Sequence, residues 1–168
     1  MTDFTLADLT RFTGAKRRSV QFWAEKKVIL ADRTTELAGS GTHRRFSRSE
    51  AVMACLLHPF AIRLKISVGE LVDISAGIRR RLNEDPVARD IVEKAIEGRE
   101  SYLFLTSTEP GVWGATFIEP DPTSPKAYEA VGVHAINLLH HEEIGKPGAV
   151  TMTIMLRTYL RPLAREAS

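Results

Sequence analysis

The chain has 168 residues, of which 43% are hydrophobic and 26% charged, with a formal net charge of +2. This composition is ordinary for a folded globular protein of one domain or two small ones. The absence of a run of about 18 apolar residues, and of a basic-then-apolar N-terminal signal, predicts a cytoplasmic protein with no membrane span.

The charges are divided unevenly along the chain. Residues 1–83 contain 15 Lys or Arg against 8 Asp or Glu, whereas residues 84–168 contain 8 against 13. A basic segment attracts the phosphate backbone of nucleic acid, and an acidic segment is repelled by it. We therefore expect a nucleic-acid surface in the first half only.

A short supporting helix is predicted over residues 5–13. Thr5, with Asp8 three residues later, has the spacing of a capping box. The apolar residues that follow at helical spacing are Leu6, Leu9 and Phe12. Gly14 stands where a residue of positive φ ends a helix, so a tight turn is expected there.

A strongly basic helix is predicted next, over residues 16–27. Val20, Trp23 and Ala24 share one face, which we expect to pack against the first helix. The opposite face carries Arg17, Arg18, Gln21 and Glu25. Cations at a helix N-terminus oppose the helix dipole, so the two arginines favour an anionic partner over a solvated surface. Two short helices joined by a glycine turn, the second cationic, are typical of a helix-turn-helix.

Residues 31–47 have no helical periodicity. The glycine-rich run Gly39-Ser-Gly41, followed by the cations His43, Arg44 and Arg45, predicts a two-stranded hairpin, or wing, over residues 39–47. Ser47 or Ser49 is then expected to cap a third helix. Pro59 predicts a break or kink in that helix.

A capping box at residues 67–70 opens a fourth amphipathic helix that ends in three arginines, residues 79–81. These cations suit a helix C-terminus, and direct contact with DNA is the alternative. A short helix over residues 87–98 follows Pro86, with Val87 among the residues expected on its apolar side.

The remaining pattern is that of strands. Residues 102–106 and 112–118 are predicted to form a hairpin around a turn at 109–111, and residues 150–156 a further strand. A helix beginning near Leu156 is expected to end at Pro162. Residues 128–139 fit a helix or a strand equally well.

The predicted fold class is α+β, in three parts. Residues 1–83 form an N-terminal winged helix-turn-helix domain, mostly α with a two-stranded wing, and residues 84–100 a linker helix. Residues 101–168 form a small α+β C-terminal domain for dimerisation or effector sensing.

Three segments carry a resemblance to a known family: Gly14-Ala15-Lys16, then Ser19-Val20-Gln21-Phe22-Trp23-Ala24, then the wing residues Arg44-Arg45-Phe46-Ser47. With the order of the predicted elements, they resemble the MerR family of winged helix-turn-helix transcriptional regulators over residues 4–82. The family has an arginine where this chain has Gln21, and a glycine where it has Lys27. Because glutamine reads adenine bidentately or contacts phosphate, Gln21 changes the expected sequence preference more than the ability to bind.

The resemblance implies a sequence-specific, double-stranded-DNA-binding transcriptional regulator. Helix 16–27 would enter the major groove and wing 39–47 would contact the backbone. The residues it implies at DNA are Lys16, Arg17, Arg18, Gln21, Phe22, Lys26, His43, Arg44, Arg45 and Arg48. Members of the family usually form homodimers through a long coiled coil. Helix 87–98 is too short for that coiled coil, so the C-terminal domain would have to provide the dimer contact.

Other functions have weaker support. The aromatic residues of the second half either line an effector pocket or, as is commoner in short strands, form the core: Tyr102, Phe104, Trp113, Phe117 and Tyr128. The run His140-His141-Glu142-Glu143 contains metal-ligand residue types, but adjacent loop positions rarely face one centre, so a solvated turn is expected.

No cofactor, metal site or enzymatic activity is expected, because no catalytic motif is present. The single cysteine, Cys55, excludes an internal disulfide, and its apolar neighbours predict a buried, inert thiol. The alternative function is that of a phage-type recombination or excision accessory, or an adaptor, that retains the winged-helix fold.

Overall fold

The computed structural model describes residues 4–32, 35, 44–121, 123–124 and 150–164. The fold is α+β, and these residues form six helices, a two-stranded antiparallel sheet and a three-stranded antiparallel sheet. The chain divides into two compact units, one containing the described residues up to Ser75 and those from Pro162 on, the other spanning Ala76–Arg161. None of the helices in the described ranges has the length and apolar character needed to cross a bilayer.

The first elements are β1 (Phe4–Thr5) and α1 (Leu6–Thr13). The capping box is confirmed: the Thr5 hydroxyl accepts the backbone N–H of Asp8 at 3.2 Å, and the Asp8 carboxylate accepts the backbone N–H of Thr5 at 2.8 Å. Gly14 ends α1 at φ 69°, as predicted, and its N–H is bonded to the Thr10 carbonyl. The reciprocal cap and the glycine together fix both ends of an eight-residue helix.

The next helix is α2 (Arg17–Glu25), and α1 packs against it. The strand β2 (Arg45–Phe46) pairs with β1 in an antiparallel register that aligns Phe46 with Phe4 and Arg45 with Thr5. This pairing ties the segment predicted as the wing to the start of the chain. Whether residues 39–43 complete a hairpin lies outside the described residues.

The third helix is α3 (Arg48–Ile62), which packs against α1. Ser47 caps it, as one of the two serines was expected to do, by accepting the backbone N–H of Glu50 at 3.4 Å. Of the predicted break or kink at Pro59, the break is wrong, because the helix continues through Pro59 to Ile62, and the kink stays a prediction. Nearly every residue from Glu50 to Phe60 is buried, and packing on all sides outweighs one missing backbone hydrogen bond.

Cys55 lies within this buried helix. Its side chain is 1% exposed, and burial raises the pKa of the thiol to about 12. The predicted buried thiol is therefore confirmed.

The fourth helix, α4 (Val68–Glu84), is longer than its predicted end at residues 79–81. The Ser67 hydroxyl accepts the backbone N–H of Glu70 at 3.3 Å, as the capping pattern indicated. Leu71, Ile74 and Ile78 are buried. The boundary between the two compact units falls within α4, between Ser75 and Ala76.

The second unit contains α5 (Pro86–Ile96), β3 (Tyr102–Glu109), β4 (Val112–Ile118) and β5 (Val150–Met155). The predicted hairpin is confirmed: β3 and β4 meet in a tight turn that places Glu109 opposite Val112, with Gly111 at φ 78°. The strand order is β4-β3-β5, so β3 is central.

Helix α5 is capped by Asp85, whose carboxylate accepts the backbone N–H of Val87 at 2.8 Å, and its apolar face packs against β4. The expectation that Val87 faces inward is wrong, because its side chain is 63% exposed; it lies in the uncovered first turn. The last helix, α6 (Leu156–Ala164), begins where predicted but continues past Pro162. Residues 128–139 lie outside the described part of the chain.

Candidate nucleic-acid interface

One face of α2 is fixed in the core of the first unit. Val20, Trp23 and Ala24 are at most 4% exposed, as the helical spacing predicted. The Trp23 ring lies edge-on to the imidazole of His58, with 6.5 Å between centroids. Burial, and then the nearby charge of Arg63, lowers the pKa of His58, so a neutral imidazole is favoured beside the indole. Trp23 is thus a packing residue of α2.

The N-terminus of α2 is cationic and has no side-chain cap. Its N-cap residue is Lys16, which cannot accept a hydrogen bond through its side chain, and the first turn contains no acidic residue. Arg17 and Arg18 are exposed. Across the described residues neither arginine forms an ion pair. Both the open backbone N–H groups and the guanidinium groups therefore suit an anion.

The outer face of α2 presents two parallel rows of side chains at helical spacing. The first row is Arg17, Gln21 and Glu25, and the second is Arg18, Phe22 and Lys26. The Gln21 amide nitrogen donates to a Glu25 carboxylate oxygen at 2.9 Å. The Lys26 ammonium lies 5.7 Å from the centroid of the Phe22 ring, and Phe22 is 42% exposed. A shallow depression of about 590 Å³ is lined by Arg17, Arg18, Gln21, Phe22 and Glu25.

The described cations predicted for the wing lie just before β2, on β2 and at the start of α3. Arg44 is half-buried and Arg45 exposed, while Phe46 between them and α3 is fully buried. The Asp32 N–H donates to the Arg45 carbonyl at 2.8 Å, and the Arg45 N–H donates to the Thr35 hydroxyl at 3.0 Å. These bonds and the β1 pairing fix the backbone of Arg45.

Arg48 and His43 are the two further residues predicted for the wing surface. Arg48 is half-buried and is the first residue of α3. His43 lies outside the described residues. The described members of the predicted set are all in the first compact unit.

The turn after α2 contains features that the sequence did not reveal. Lys27 adopts φ 63°, the conformation that glycine favours. The backbone N–H of Leu30 then donates to the Glu50 carboxylate at 2.7 Å, and Glu50 is only 7% exposed. A carboxylate twenty residues away in sequence gives no local pattern, so this anchor of the turn was not predictable.

The arginines of α4 have contacts within the second unit. Arg81 forms an ion pair with Asp85 at 2.7 Å, and the Arg80 guanidinium donates to the Trp113 carbonyl at 3.1 Å. Arg81 lies in the last turn of α4, whereas the Arg80 guanidinium contacts a strand.

The aromatic residues of the second unit belong mostly to its core. Phe104, Trp113 and Phe117 are buried, and the Tyr102 hydroxyl donates to Glu100 at 2.6 Å. Tyr128 lies outside the described residues. A polar depression of about 420 Å³ is lined by Arg99, Glu119, Pro120, Asp121 and Thr123.

The charges beside this depression are largely paired. Hydrogen bonds to Asp90, and then to Glu119, raise the pKa of Lys94, while the Thr123 hydroxyl and backbone lower that of Asp121. Within the described ranges, no group of three or more potential metal ligands is found. The run 140–143 lies outside those ranges.

Comparisons with known proteins leave the family open. The chain matches no protein-family model, and no curated protein has significant sequence similarity to it. The function is therefore inferred from the chemistry of α2 and its surroundings.

Proposed function

We propose that this protein is a sequence-specific, double-stranded-DNA-binding transcriptional regulator with a MerR-like winged helix-turn-helix domain. In the proposal α2 enters a major groove, and the segment around β2 contacts the backbone. The protein acts as a cytoplasmic homodimer on two half-sites.

One observation carries the proposal: the uncapped N-terminus of α2 presents Arg17 and Arg18 without an ion pair in the described part of the chain. Two cations at the positive end of a helix dipole destabilise the helix slightly unless an anion binds there. Phosphate is such an anion, and the major groove admits a helix presented end-first in this way.

The packing of α2 supports the same function. Its inner face is buried through Val20 and Trp23, and the helix packs on α1, so its outer rows face away from the core. Base reading needs side chains fixed relative to the protein body, because a mobile helix would lose the alignment on which hydrogen bonds to base edges depend. Arg44 and Arg45, on the segment paired with β1, supply further charge in the same unit.

Selection of bound sequences from a pool of random duplexes tests the proposal. A regulator enriches a motif of two related half-sites, and affinity for it falls by about three decades between roughly 50 and 200 mM salt if six cations contact phosphates. Genome-wide occupancy distinguishes the regulator from the alternative function. Peaks centred on promoters support a regulator, whereas peaks at attachment sites indicate a recombination accessory. Failure to enrich any motif would refute sequence-specific binding.

A further inference from the structure

The Gln21 and Glu25 side chains form a hydrogen-bonded pair on the outer face of α2, one helical turn apart. Gln21 Nε2 lies 2.9 Å from Glu25 Oε1, and both residues are exposed. An ionised carboxylate only accepts hydrogen bonds, so the amide must turn its nitrogen towards Glu25. The Gln21 oxygen is therefore directed away from Glu25, and the amide has one preferred orientation instead of two.

We propose that Gln21 reads adenine and that Glu25 is a positioning residue that fixes the orientation of the Gln21 amide; this inference rests on the proposed DNA-binding function. The amide nitrogen carries two hydrogens, one of which is donated to Glu25. In the proposed contact the hydrogen beside the amide oxygen is the one that stays free, so the free edge of Gln21 presents a donor next to an acceptor. Adenine offers the complementary pair, an acceptor at N7 and a donor at N6.

The same orientation disfavours guanine. Guanine presents two acceptors, N7 and O6, to the major groove, so the fixed Gln21 oxygen would face another acceptor. An amide free to flip and to change rotamer would discriminate less, because it could place a donor against either acceptor. The selectivity therefore comes from the pair rather than from Gln21 alone.

The negative charge of Glu25 lowers affinity for any duplex, whereas its hydrogen bond to Gln21 raises selectivity for one base. A carboxylate in the same row as Arg17 reduces the positive charge of the face that approaches phosphate. Its removal should therefore raise affinity for any duplex while lowering the preference for one base. A residue that only stabilised α2 would change the free energy of unfolding and leave base preference unaltered.

Four full-length proteins test the inference by selection from random duplexes: wild type, Gln21→Ala, Glu25→Ala and Glu25→Gln. Wild type should select adenine at one position per half-site, by about 5- to 150-fold over guanine, the usual range for a bidentate contact. Gln21→Ala should lose that preference and keep the rest of the motif. Glu25→Ala should lower it by about 2- to 10-fold, the range expected for one hydrogen bond, and bind random duplex more tightly.

Glu25→Gln keeps a side chain of the same size without the charge, but its amide donates as well as accepts, so it does not fix the Gln21 amide in one orientation. Like Glu25→Ala, it should lower the adenine preference and bind random duplex more tightly. Both substitutions are at exposed positions, and circular dichroism checks that the helices are intact. If wild type selects a motif but Gln21→Ala or Glu25→Ala leaves its adenine preference unchanged, the inference is wrong and the proposed function stands. If wild type selects no motif, both are wrong.

Discussion

The carboxylate of Glu50, at the start of α3, accepts the backbone N–H of Leu30 at 2.7 Å. This bond joins α3 to the segment that follows the turn after α2, twenty residues earlier in the sequence. Glu50 is 7% exposed and Leu30 is 40% exposed, so the bond between them is partly buried, and water compensates only in part for its loss. The turn after α2 is thus bonded to a side chain of α3.

Glu50→Ala should lower the free energy of unfolding by about 0.5–1.5 kcal/mol, because the Leu30 N–H loses its acceptor in a partly buried bond. Glu50→Gln should cost less, since an amide oxygen still accepts. The control is Glu70→Ala, because Glu70 is an exposed acidic residue in the first turn of α4. This substitution should change the free energy of unfolding by no more than about 0.5 kcal/mol. Urea unfolding measures all three, and equal losses in the Glu50 and Glu70 variants would count against the anchor.

Asp8 should make the first helix sensitive to acid. Hydrogen bonds from the Thr5 backbone, and then from its hydroxyl, lower the pKa of the Asp8 carboxyl below the ordinary value of 3.8. A lowered pKa in the folded state contributes stability above the unfolded value and loses it as pH falls through the folded one. Asp8→Asn should therefore destabilise by about 1 kcal/mol at pH 7. The difference from wild type should shrink below about pH 4, near the unfolded value. A difference that is the same at pH 7 and pH 3 would exclude the carboxylate as its source.

Gly14 and Lys27 should respond in opposite directions to substitution, although both have φ between 60° and 70°. A Cβ at Gly14 meets no atom within 4 Å, so Gly14→Ala costs backbone strain alone, about 1 kcal/mol. Lys27→Gly relieves such strain and should stabilise by up to about 1 kcal/mol, offset in part by the greater freedom of glycine in the unfolded chain. Denaturation midpoints with unchanged m-values give both numbers. Destabilisation by Lys27→Gly would show that its side-chain contacts outweigh the strain.

Two glycines of α4 provide a similar pair. A Cβ at Gly77 would clash with the Trp113 carbonyl oxygen, whereas one at Gly69 meets nothing within 4 Å. Gly77→Ala should destabilise by about 1–3 kcal/mol through overpacking. Gly69→Ala should stabilise by about 0.5–1 kcal/mol, because alanine loses less entropy in a helix. Equal effects at the two positions would mean that α4 and β4 do not approach as closely as the structure has them.

What the sequence predicted well depends on chemistry within a few residues. The caps at Thr5 and Ser47, the positive φ of Gly14 and the hairpin before Val112 all follow from local side chains and turn geometry. The inner face of α2 followed from helical spacing.

What the sequence did not predict depends on contacts between distant segments. The pairing of β2 with β1, the buried Glu50 and the persistence of α3 through Pro59 require tertiary packing that has no local signal. The Gln21–Glu25 pair had a signal, since the two residues are four apart on one predicted helix, but spacing alone does not say that their side chains bond.

The central claim is that the cations of α2 and of the β2 segment bind duplex DNA. Its most direct test is the titration of a labelled duplex, selected by the wild-type protein, with Arg17→Ala/Arg44→Ala. The matched control, Arg99→Ala/Arg161→Ala, removes two exposed arginines from the second unit. The first variant should lose affinity by about 30-fold or more with an unchanged circular dichroism spectrum, and the control should bind nearly as wild type does. Unchanged affinity in Arg17→Ala/Arg44→Ala would contradict the claim.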